Sequence, residues 1–189
     1  MEKKKMRGMP FFYPLPVIIV GANVDEKANF VTIAFCGMCQ YKPPILYISC
    51  AKNHYTSKGI KKNKAFSVNF PNTEMVKITD YVGVKSGKEI DKSALFDVFY
   101  GELKTAPMIR EAPLNHECKV INIIDLGSTN DIIFGEIVQT FINESCIVGG
   151  KPEIKKLNPF IFSGSENSYF EIGNFLGKAY NIGKDYIKK

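Results

Sequence analysis

The stretch NFVTIAFCGMCQ, residues 29–40, carries the residues on which the interpretation of the chain depends. Alternating character along its first half predicts a β-strand, whose successive side chains point to opposite faces. One face would carry Asn29, Val31, Ile33 and Phe35, and the other Phe30, Thr32 and Ala34. Amide, hydroxyl and small side chains can contact the polar edge of a ring system, and a terminal aromatic residue can stack on it. The stretch therefore favours a strand that lines a ligand, although an ordinary barrel strand has the same pattern.

The second half of the stretch contains a C-x-x-C motif, Cys36-Gly37-Met38-Cys39. A redox dithiol needs its first cysteine at a helix N-terminus, where the dipole lowers the thiol pKa. Here the motif follows an apolar strand and precedes the turn residues Pro43-Pro44. A structural zinc site needs a second cysteine or histidine pair at short spacing, which the sequence lacks. We interpret Cys36 and Cys39 as small packing or ligand-lining residues, with a redox role as the alternative, and we expect no metal site.

Length and composition indicate one soluble globular domain. The chain has 189 residues, of which 45% are hydrophobic and 23% charged, and a chain of this size can build a core without disulfides or metals. It contains no run of about 18 apolar residues, so no membrane span is predicted. Five cysteines without disulfide-like spacing indicate a reducing cytoplasm. The net charge of +6 comes with no aromatic-basic stripe, so no nucleic-acid partner is expected.

The strand pattern predicts a mainly β fold. Apolar β-rich runs cover residues 15–21, 30–35, 45–50, 65–70, 118–124 and 132–143. Short helices are predicted at residues 55–62 and 73–81, with Asn53 capping the first, Asn72 or Thr73 capping the second, and Gly83 ending it. Many strands with few helices favour a β-barrel, and the lack of G-x-G-x-x-G within βαβ units argues against a Rossmann domain. In the last run, Gly135 indicates a bulge or a close approach.

Domain boundaries are predicted only near the ends of the chain. Residues 1–13 are interpreted as an N-terminal tail, and residues 14–189 as one domain without internal repeats or linkers. The part from about residue 154 onward is rich in aromatic residues. We expect it to pack on the barrel or on a partner subunit.

Two polar segments are candidates for binding an anion. Residues 49–56, SCAKNHYT, end an apolar strand and begin a helix. Hydroxyls, a lysine and exposed N–H groups at a helix N-terminus attract anions, although an ordinary helix start looks the same. Residues 86–92, SGKEIDK, are able to bring Lys88 or Lys92 to the same anion. A Cys50–His54 pair would suit a nucleophile and its base, but no third, orienting residue is identifiable, so no catalytic side chain is predicted.

Eight short segments then stand in a distinctive order and spacing. They are NFVTIA (29–34), PPILYIS (43–49), YT (55–56), FSVNFP (66–71), SGKEIDK (86–92), APMIREAP (106–113), ECKV (117–120) and FGEIV (134–138). Together, from about residue 14 to about residue 177, they resemble the flavin reductase-like family with the FMN-binding split barrel, in its flavoredoxin branch.

The resemblance implies a split β-barrel with a few short helices, assembled as a homodimer with FMN near the subunit interface. It implies NAD(P)H or a redox protein as the electron donor. With the residue-level interpretation, it gives a set of expected FMN-binding residues: Asn29, Val31, Thr32, Ala34, Phe35, Ser49, Cys50, Ala51, Lys52, Tyr55, Thr56, Ser86, Lys88, Lys92 and Phe162. Ser49, Thr56, Ser86 and Lys92 would hold the ribityl phosphate, and Phe162, or alternatively Phe160, would lie near the flavin ring.

Two departures from the family pattern bear on activity. Phe35 stands where relatives often carry Trp, and Asn130-Asp131 stand where they often carry His. At neutral pH an aspartate cannot donate a hydrogen bond to a reduced flavin. The expected function is an FMN-dependent oxidoreductase in which the cofactor performs the hydride or electron chemistry. The alternatives are a non-enzymatic electron carrier, a thiol-linked flavoprotein using Cys36 and Cys39, and a basic binding module without redox function.

Overall fold

A computed structural model of the chain describes residues 1–184 and 186. The strands are β1 (Leu15–Pro16), β2 (Ile18–Val24), β3 (Lys27–Ile33), β4 (Cys36–Tyr41), β5 (Pro44–Ala51), β6 (Ala65–Phe70), β7 (Val98–Phe99), β8 (Met108–Ile109), β9 (Leu114–Asp125), β10 (Asn130–Ile142), β11 (Ile147–Val148), β12 (Lys151–Pro152), β13 (Phe160–Ser163) and β14 (Ser168–Glu171). The α-helices are α1 (Tyr55–Asn63), α2 (Val76–Val84) and α3 (Ile154–Leu157). Short 3₁₀ helices cover Thr73–Met75, Lys92–Leu95 and Glu144–Cys146.

Seven strands form the main sheet, in the order β3-β2-β6-β9-β10-β5-β4, with every pairing antiparallel. Its two edge strands, β3 and β4, follow each other in the chain and are separated only by Ala34 and Phe35. The sheet must therefore curl until its edges meet. At the junction, the backbone N–H of Ser49 on β5 donates to the carbonyl of Phe35 at 2.7 Å. This mainly β architecture with few helices confirms the predicted split barrel.

Two hydrophobic cores lie on either side of β2 and β3. The barrel core includes Ile18, Val31 and Phe66, whereas Ile19 and Phe30 belong to a second core beneath α2. Because these two strands are covered on both faces, they carry apolar residues at nearly every position. The alternation predicted for β3 is therefore confirmed, and its two faces serve two separate cores.

Both predicted helices are present, but their ends differ from expectation. Helix α1 begins after His54, not after a capping Asn53, and no side chain caps it. The side chain of Asn72 accepts a hydrogen bond from the N–H of Met75, as predicted for the second helix. Gly83 does not end α2, which continues to Val84. Gly83 instead allows close packing, since a Cβ atom there would lie 3.2 Å from the Cβ of Thr32.

The predicted irregularity at Gly135 is confirmed. The register of β10 against β9 shifts between Phe134 and Gly135. A Cβ atom at Gly135 would lie 2.5 Å from Cζ of the fully buried Phe66. A side chain at this position would displace the largest residue of the barrel core, so the glycine is required by packing as well as by the bulge.

The C-terminal part forms a hairpin of β13 and β14 that pairs with β1, where Leu15 lies opposite Phe162. Residues 172–184 are mostly exposed, and residues 1–13 are exposed and form no helix or strand. Of the domain predicted to reach residue 189, Asp185 and residues 187–189 lie outside the described residues. Among the helices that the structure describes, none is long and apolar enough to cross a membrane.

Candidate functional site

A cleft runs along the edge strand β3, between the start of α1 and the end of α2. Its first section, the lysine compartment, has a volume of about 190 Å³ and is lined by Asn29, Val31, Asn53, His54, Tyr55, Thr56, Gly83, Val84, Lys85, Ser86, Gly87 and Lys92. Its second section, the aromatic compartment, has about 210 Å³ and is lined by Thr32, Ile33, Ala34, Phe35, Ser49, Ala51, His54, Asn130 and Phe162. His54 belongs to both sections, so the two are contiguous. Together they approach the size of pockets that hold organic ligands.

A third space, the outer hollow, adjoins the aromatic compartment. It has a volume of about 330 Å³ and is lined by Val17, Thr32, Ala34, Asp80, Gly83, Val84, Phe162, Asn167 and Tyr169. Thr32, Ala34 and Phe162 line both spaces. The hydroxyl of Tyr169 donates to Asp80 Oδ1 at 3.0 Å, which ties the C-terminal hairpin to α2. A ligand in the aromatic compartment would therefore have room for a second molecule beside it.

The lysine compartment takes its name from Lys92, whose side chain is only 3% exposed. Its ammonium group donates to the backbone carbonyls of Phe30 at 2.9 Å and Val82 at 2.8 Å. Within residues 1–184 and 186, no carboxylate lies within ion-pair distance of it. Burial lowers the pKa of Lys92 to about 8. A buried cation without a carboxylate partner is costly, and an anionic ligand would compensate it.

Hydroxyl groups in the lysine compartment are arranged to donate to such an anion. The buried side chain of Asn29 donates to Thr56 Oγ1 at 2.7 Å. The backbone N–H of Lys88 donates to Ser86 Oγ at 3.2 Å. Because each hydroxyl oxygen accepts from the protein, its own proton is available to a ligand. Tyr55 and Thr56 also begin α1, whose first N–H groups have no partner within the helix and favour negative charge.

The aromatic compartment is an apolar slot with a polar rim. Phe35, Ala34 and Phe162 contribute apolar surface. On the rim, Asn130 donates to Ser49 Oγ at 3.0 Å. Thr32 donates its hydroxyl to a backbone carbonyl of α2 at 2.6 Å. A flat ring system with hydrogen-bonding edges matches this combination of surfaces.

The structure places twelve of the sequence-predicted residues along the cleft, and three elsewhere. Cys50 is fully buried in the barrel core, where burial raises its thiol pKa to about 12. Lys52 pairs with Asp125 at 2.6 Å. Lys88 is exposed beside Asp91 in a hollow that adjoins the lysine compartment, and it does not line that compartment. These three side chains therefore do not line either compartment of the cleft, where they were expected.

The Cys50–His54 pair is real as a contact but unsuited to nucleophilic catalysis. The Cys50 sulfur lies 3.8 Å from His54 Nδ1. A nucleophilic cysteine needs a lowered pKa, and burial acts in the opposite direction here.

Asp131 also differs from its expected position. Its side chain is 3% exposed and lies 2.6 Å from the ammonium group of Lys61. Strand alternation turns Asp131 inward and leaves Asn130, an amide that can donate hydrogen bonds, at the cleft. Asn130 rather than Asp131 therefore lines the cleft, so an amide that can donate a hydrogen bond, and not an aspartate, lies beside a ligand there.

The C-x-x-C motif lies apart from the residues that line the cleft. Cys36 lines an apolar pocket of about 130 Å³ together with Ile18, Val68 and Phe70. Burial raises its pKa to about 12. Cys39 is exposed on β4, at the register shift between Met38 and Gln40. Both cysteines are free thiols.

Sequence reasoning missed several lining residues, including His54, Lys85, Asn130, Asp80 and Tyr169. A local signal existed for His54, which precedes the predicted helix at Tyr55, and for Asn130, which adjoins a residue already singled out. Asp80 and Tyr169 are 89 positions apart and meet only through the C-terminal hairpin. No pattern along the chain indicates that contact. In the described part of the chain, no cluster of three or more His, Cys, Asp or Glu residues is able to hold a metal ion.

Comparison with known proteins agrees with the fold. The structure is similar to flavoredoxin from Methanosarcina acetivorans, with 46% identity, coverage of 97% of this chain and 98% of that one, and a TM-score of 0.94. It is similar to flavoredoxin of Desulfovibrio vulgaris (Miyazaki F), with 33% identity, coverage of 97% and 100%, and a TM-score of 0.89. An FMN-binding protein from Thermus thermophilus, 22% identical with coverage of 94% and 100%, shares the fold with a TM-score of 0.79.

The family model described as the flavin reductase like domain matches residues 9–149. This match spans most of the chain and includes every strand from β1 to β11. The chain therefore belongs to the flavin reductase-like family.

Proposed function

We propose that the protein binds FMN in the cleft and works as an oxidoreductase that transfers hydride or electrons through it. The observation that carries the proposal is the buried Lys92, whose hydrogen-bond partners among the described residues are two carbonyls and which lines a compartment that contains hydroxyl groups. A phosphate group would supply the missing negative charge. Charge-assisted hydrogen bonds of this kind are the strong ones.

The residues present fit both ends of FMN. Lys92, Thr56 and Ser86 would hold the phosphate in the lysine compartment. The aromatic compartment would hold the ring, with Phe162 covering apolar surface and Asn130 meeting a polar edge. When bound, the flavin supplies the hydride and electron chemistry. The protein would bind the flavin and orient it, and hydride or electron transfer would not require an acid or base from the chain.

Similar proteins support the same assignment. The two flavoredoxin structures match almost the whole of this chain at 46% and 33% identity. The protein from Thermus thermophilus is an FMN-binding protein, and its structural similarity supports the fold. FMN is therefore preferred here over other flavins.

The proposal extends to the electron donor, the oligomeric state and the cellular location of the protein. NAD(P)H or a redox protein would supply electrons, and the outer hollow beside the aromatic compartment gives room for a donor or acceptor.

We also propose a homodimer, because Phe175, Leu176 and Tyr180 expose 75% to 98% of their surface on the C-terminal segment. Such a run of exposed apolar side chains is typical of an interaction surface. Five free thiols are in keeping with a reducing cytoplasm.

A spectroscopic experiment tests the proposal. Purified protein is expected to be yellow, or to take up FMN stoichiometrically, with a shifted visible spectrum. Anaerobic addition of NADH or NADPH should then bleach the bound flavin on a catalytic timescale. A colourless protein that leaves added FMN unbound would overturn the proposal.

An electron carrier is the second candidate function, because Phe35 at the cleft is 55% exposed. That exposure leaves one end of the aromatic compartment accessible to another protein. Bound FMN that resists NAD(P)H but is reduced rapidly by a redox protein would favour this candidate.

A further inference from the structure

His54 occupies a singular position in the cleft. It lines both the lysine compartment and the aromatic compartment. In the part of the chain that the structure describes, it is the only histidine or charged residue that lines the aromatic compartment. Any protonation event coupled to chemistry in that compartment therefore has one side chain immediately available to it.

The two ring nitrogens of His54 have different surroundings. Nδ1 lies 3.8 Å from the sulfur of Cys50, a fully buried residue whose raised pKa keeps it a neutral thiol. Nε2 has no hydrogen-bond partner within residues 1–184 and 186. Since the thiol occupies the inner nitrogen, Nε2 is the nitrogen available to the cleft.

Charged groups surround His54 unevenly. From the lysine compartment, Lys92 and Lys85 contribute positive charge, and Tyr55 contributes a neutral phenol. Behind Cys50, the carboxylate of Asp131 is paired with Lys61. Burial and the charge of Lys92 both lower the pKa of His54. In the ligand-free protein the imidazole is therefore neutral at neutral pH. An FMN phosphate in the lysine compartment would raise the pKa of His54 in both redox states, and additional negative charge in the aromatic compartment would raise it further on reduction.

We propose that His54 takes up one proton when the flavin in the cleft is reduced. The inference rests on the proposed function, because it requires a flavin beside His54. A reduced nicotinamide would give the flavin a hydride, which is two electrons and one proton, leaving the reduced flavin with one negative charge. The neutral imidazole then binds a second proton from solvent and becomes an imidazolium, so two electrons enter together with two protons.

Nuclear magnetic resonance of the FMN-loaded protein tests this directly. The chain contains only two histidines, His54 and His116, so histidine labelling gives two imidazoles to follow. With dithionite as the reductant, the pKa of His54 is expected to rise by at least one unit. His116 is the internal control, because it lies outside the cleft with Nδ1 2.9 Å from Thr140 Oγ1. Equal pKa values of His54 in both redox states would overturn the inference.

The reduction potential gives a second and independent test. A two-electron couple changes by about 30 mV for each tenfold change in proton activity per proton bound. At pH values between the two pKa values of His54, the reduction potential of the FMN-loaded protein should therefore fall more steeply with pH. The slope should be larger by about 30 mV per pH unit than at pH values outside this range. His54→Gln should lose this extra slope, and His116→Gln should keep it. Retention of the extra slope in His54→Gln would assign the proton to another group and overturn the inference.

These measurements distinguish a failure of the proposed FMN function from a failure of the inference about His54. Absence of FMN binding would overturn the proposed function and the inference with it. FMN binding with an unchanged His54 pKa would overturn only the inference. If His54→Gln does not fold, the measurement on the unmodified protein still decides, since it needs no substitution.

Discussion

The two halves of residues 29–40 differ in what they contact, although both belong to edge strands of one sheet. The β3 half contributes Asn29 and Thr32 to the cleft. The β4 half contributes Cys36 and Met38 to an apolar pocket. Only Ala34 and Phe35 separate the two strands. Of the two cysteines in the β4 half, Cys36 therefore lies in apolar surroundings, whereas Cys39 is exposed to solvent away from the cleft.

The reactivity of these side chains depends less on residue type than on the charge and solvation around each of them. Burial raises the pKa of Cys36 to about 12, which keeps it a protonated thiol and makes it a poor nucleophile for thiol exchange. On the β3 side, the carbonyl of Phe30 accepts a hydrogen bond from the ammonium group of Lys92, which lines the lysine compartment. Four experiments test whether the two strands differ in this way.

The largest effect is expected from Lys92→Met. The substitution removes the charge-assisted contact to phosphate, so FMN affinity should fall by about 1.5–3 kcal/mol, or roughly 10- to 150-fold. Fluorescence titration of the apoprotein with FMN measures this, with circular dichroism to verify folding. Lys88→Met is the matched control, because the exposed Lys88 lies outside the compartment. Equal loss in both variants would contradict the placement of the phosphate.

The second effect is a dependence of FMN affinity on pH. Burial lowers the pKa of Lys92 to about 8, so the free protein loses this charge as pH rises through that value. Phosphate favours the charged lysine, and binding above that pH must therefore take up a proton. The Kd should rise with pH above about 8, by up to roughly tenfold per pH unit. In Lys92→Met the Kd should be flat over the same range; a matching rise there would point to another group.

A smaller effect is expected from Thr56→Val, which keeps the side-chain shape and removes the hydroxyl. Loss of one donor to the phosphate, with the Asn29 amide left without its acceptor, should weaken FMN binding by about 1 kcal/mol, or roughly fivefold. The same titration measures it. Ser57→Ala is a useful control on the same helix, because the Ser57 hydroxyl has no hydrogen-bond partner in the described residues. An unaffected Kd in Thr56→Val would place the phosphate away from α1.

The smallest effect is expected from the double substitution Cys36→Ala, Cys39→Ala. Neither side chain lines the cleft, so the rates of flavin reduction and reoxidation should stay within about twofold, as for changes away from a functional site. Stopped-flow absorbance under anaerobic conditions follows both rates. A large loss of either rate in a well-folded double variant would restore the thiol-linked mechanism and reverse the comparison.

Much of the fold could be predicted because it depends on local patterns. Alternation identified β3, and the polar segment after β5 identified the start of α1 at Tyr55. Helix ends were less predictable. Gly83 was expected to stop α2, but close packing against Thr32 explains this glycine instead. Its role depends on a neighbour 51 positions away, which no local pattern indicates.

The candidate site could be predicted in its residue types but only partly in its membership. Lys52 and Lys88 were expected at the anion because they stand in polar segments, but Lys52 pairs with Asp125 and Lys88 lines an adjoining hollow. His54 was predicted as a partner of Cys50 and as part of the polar segment 49–56, but not as a ligand-binding residue. Whether a polar side chain faces a cleft depends on long-range packing, which composition does not contain.

By itself, the sequence determined the mainly β character, the order of the strands along the chain and the family, because periodicity and motif spacing are properties of the chain. Three features needed the three-dimensional structure: Lys92 is buried without a carboxylate partner among the described residues, Cys36 faces an apolar pocket, and Phe162 reaches the cleft. The physical reason is that burial and charge pairing depend on residues distant in sequence. A side chain acquires its pKa and its partners only when the curled sheet brings those residues together.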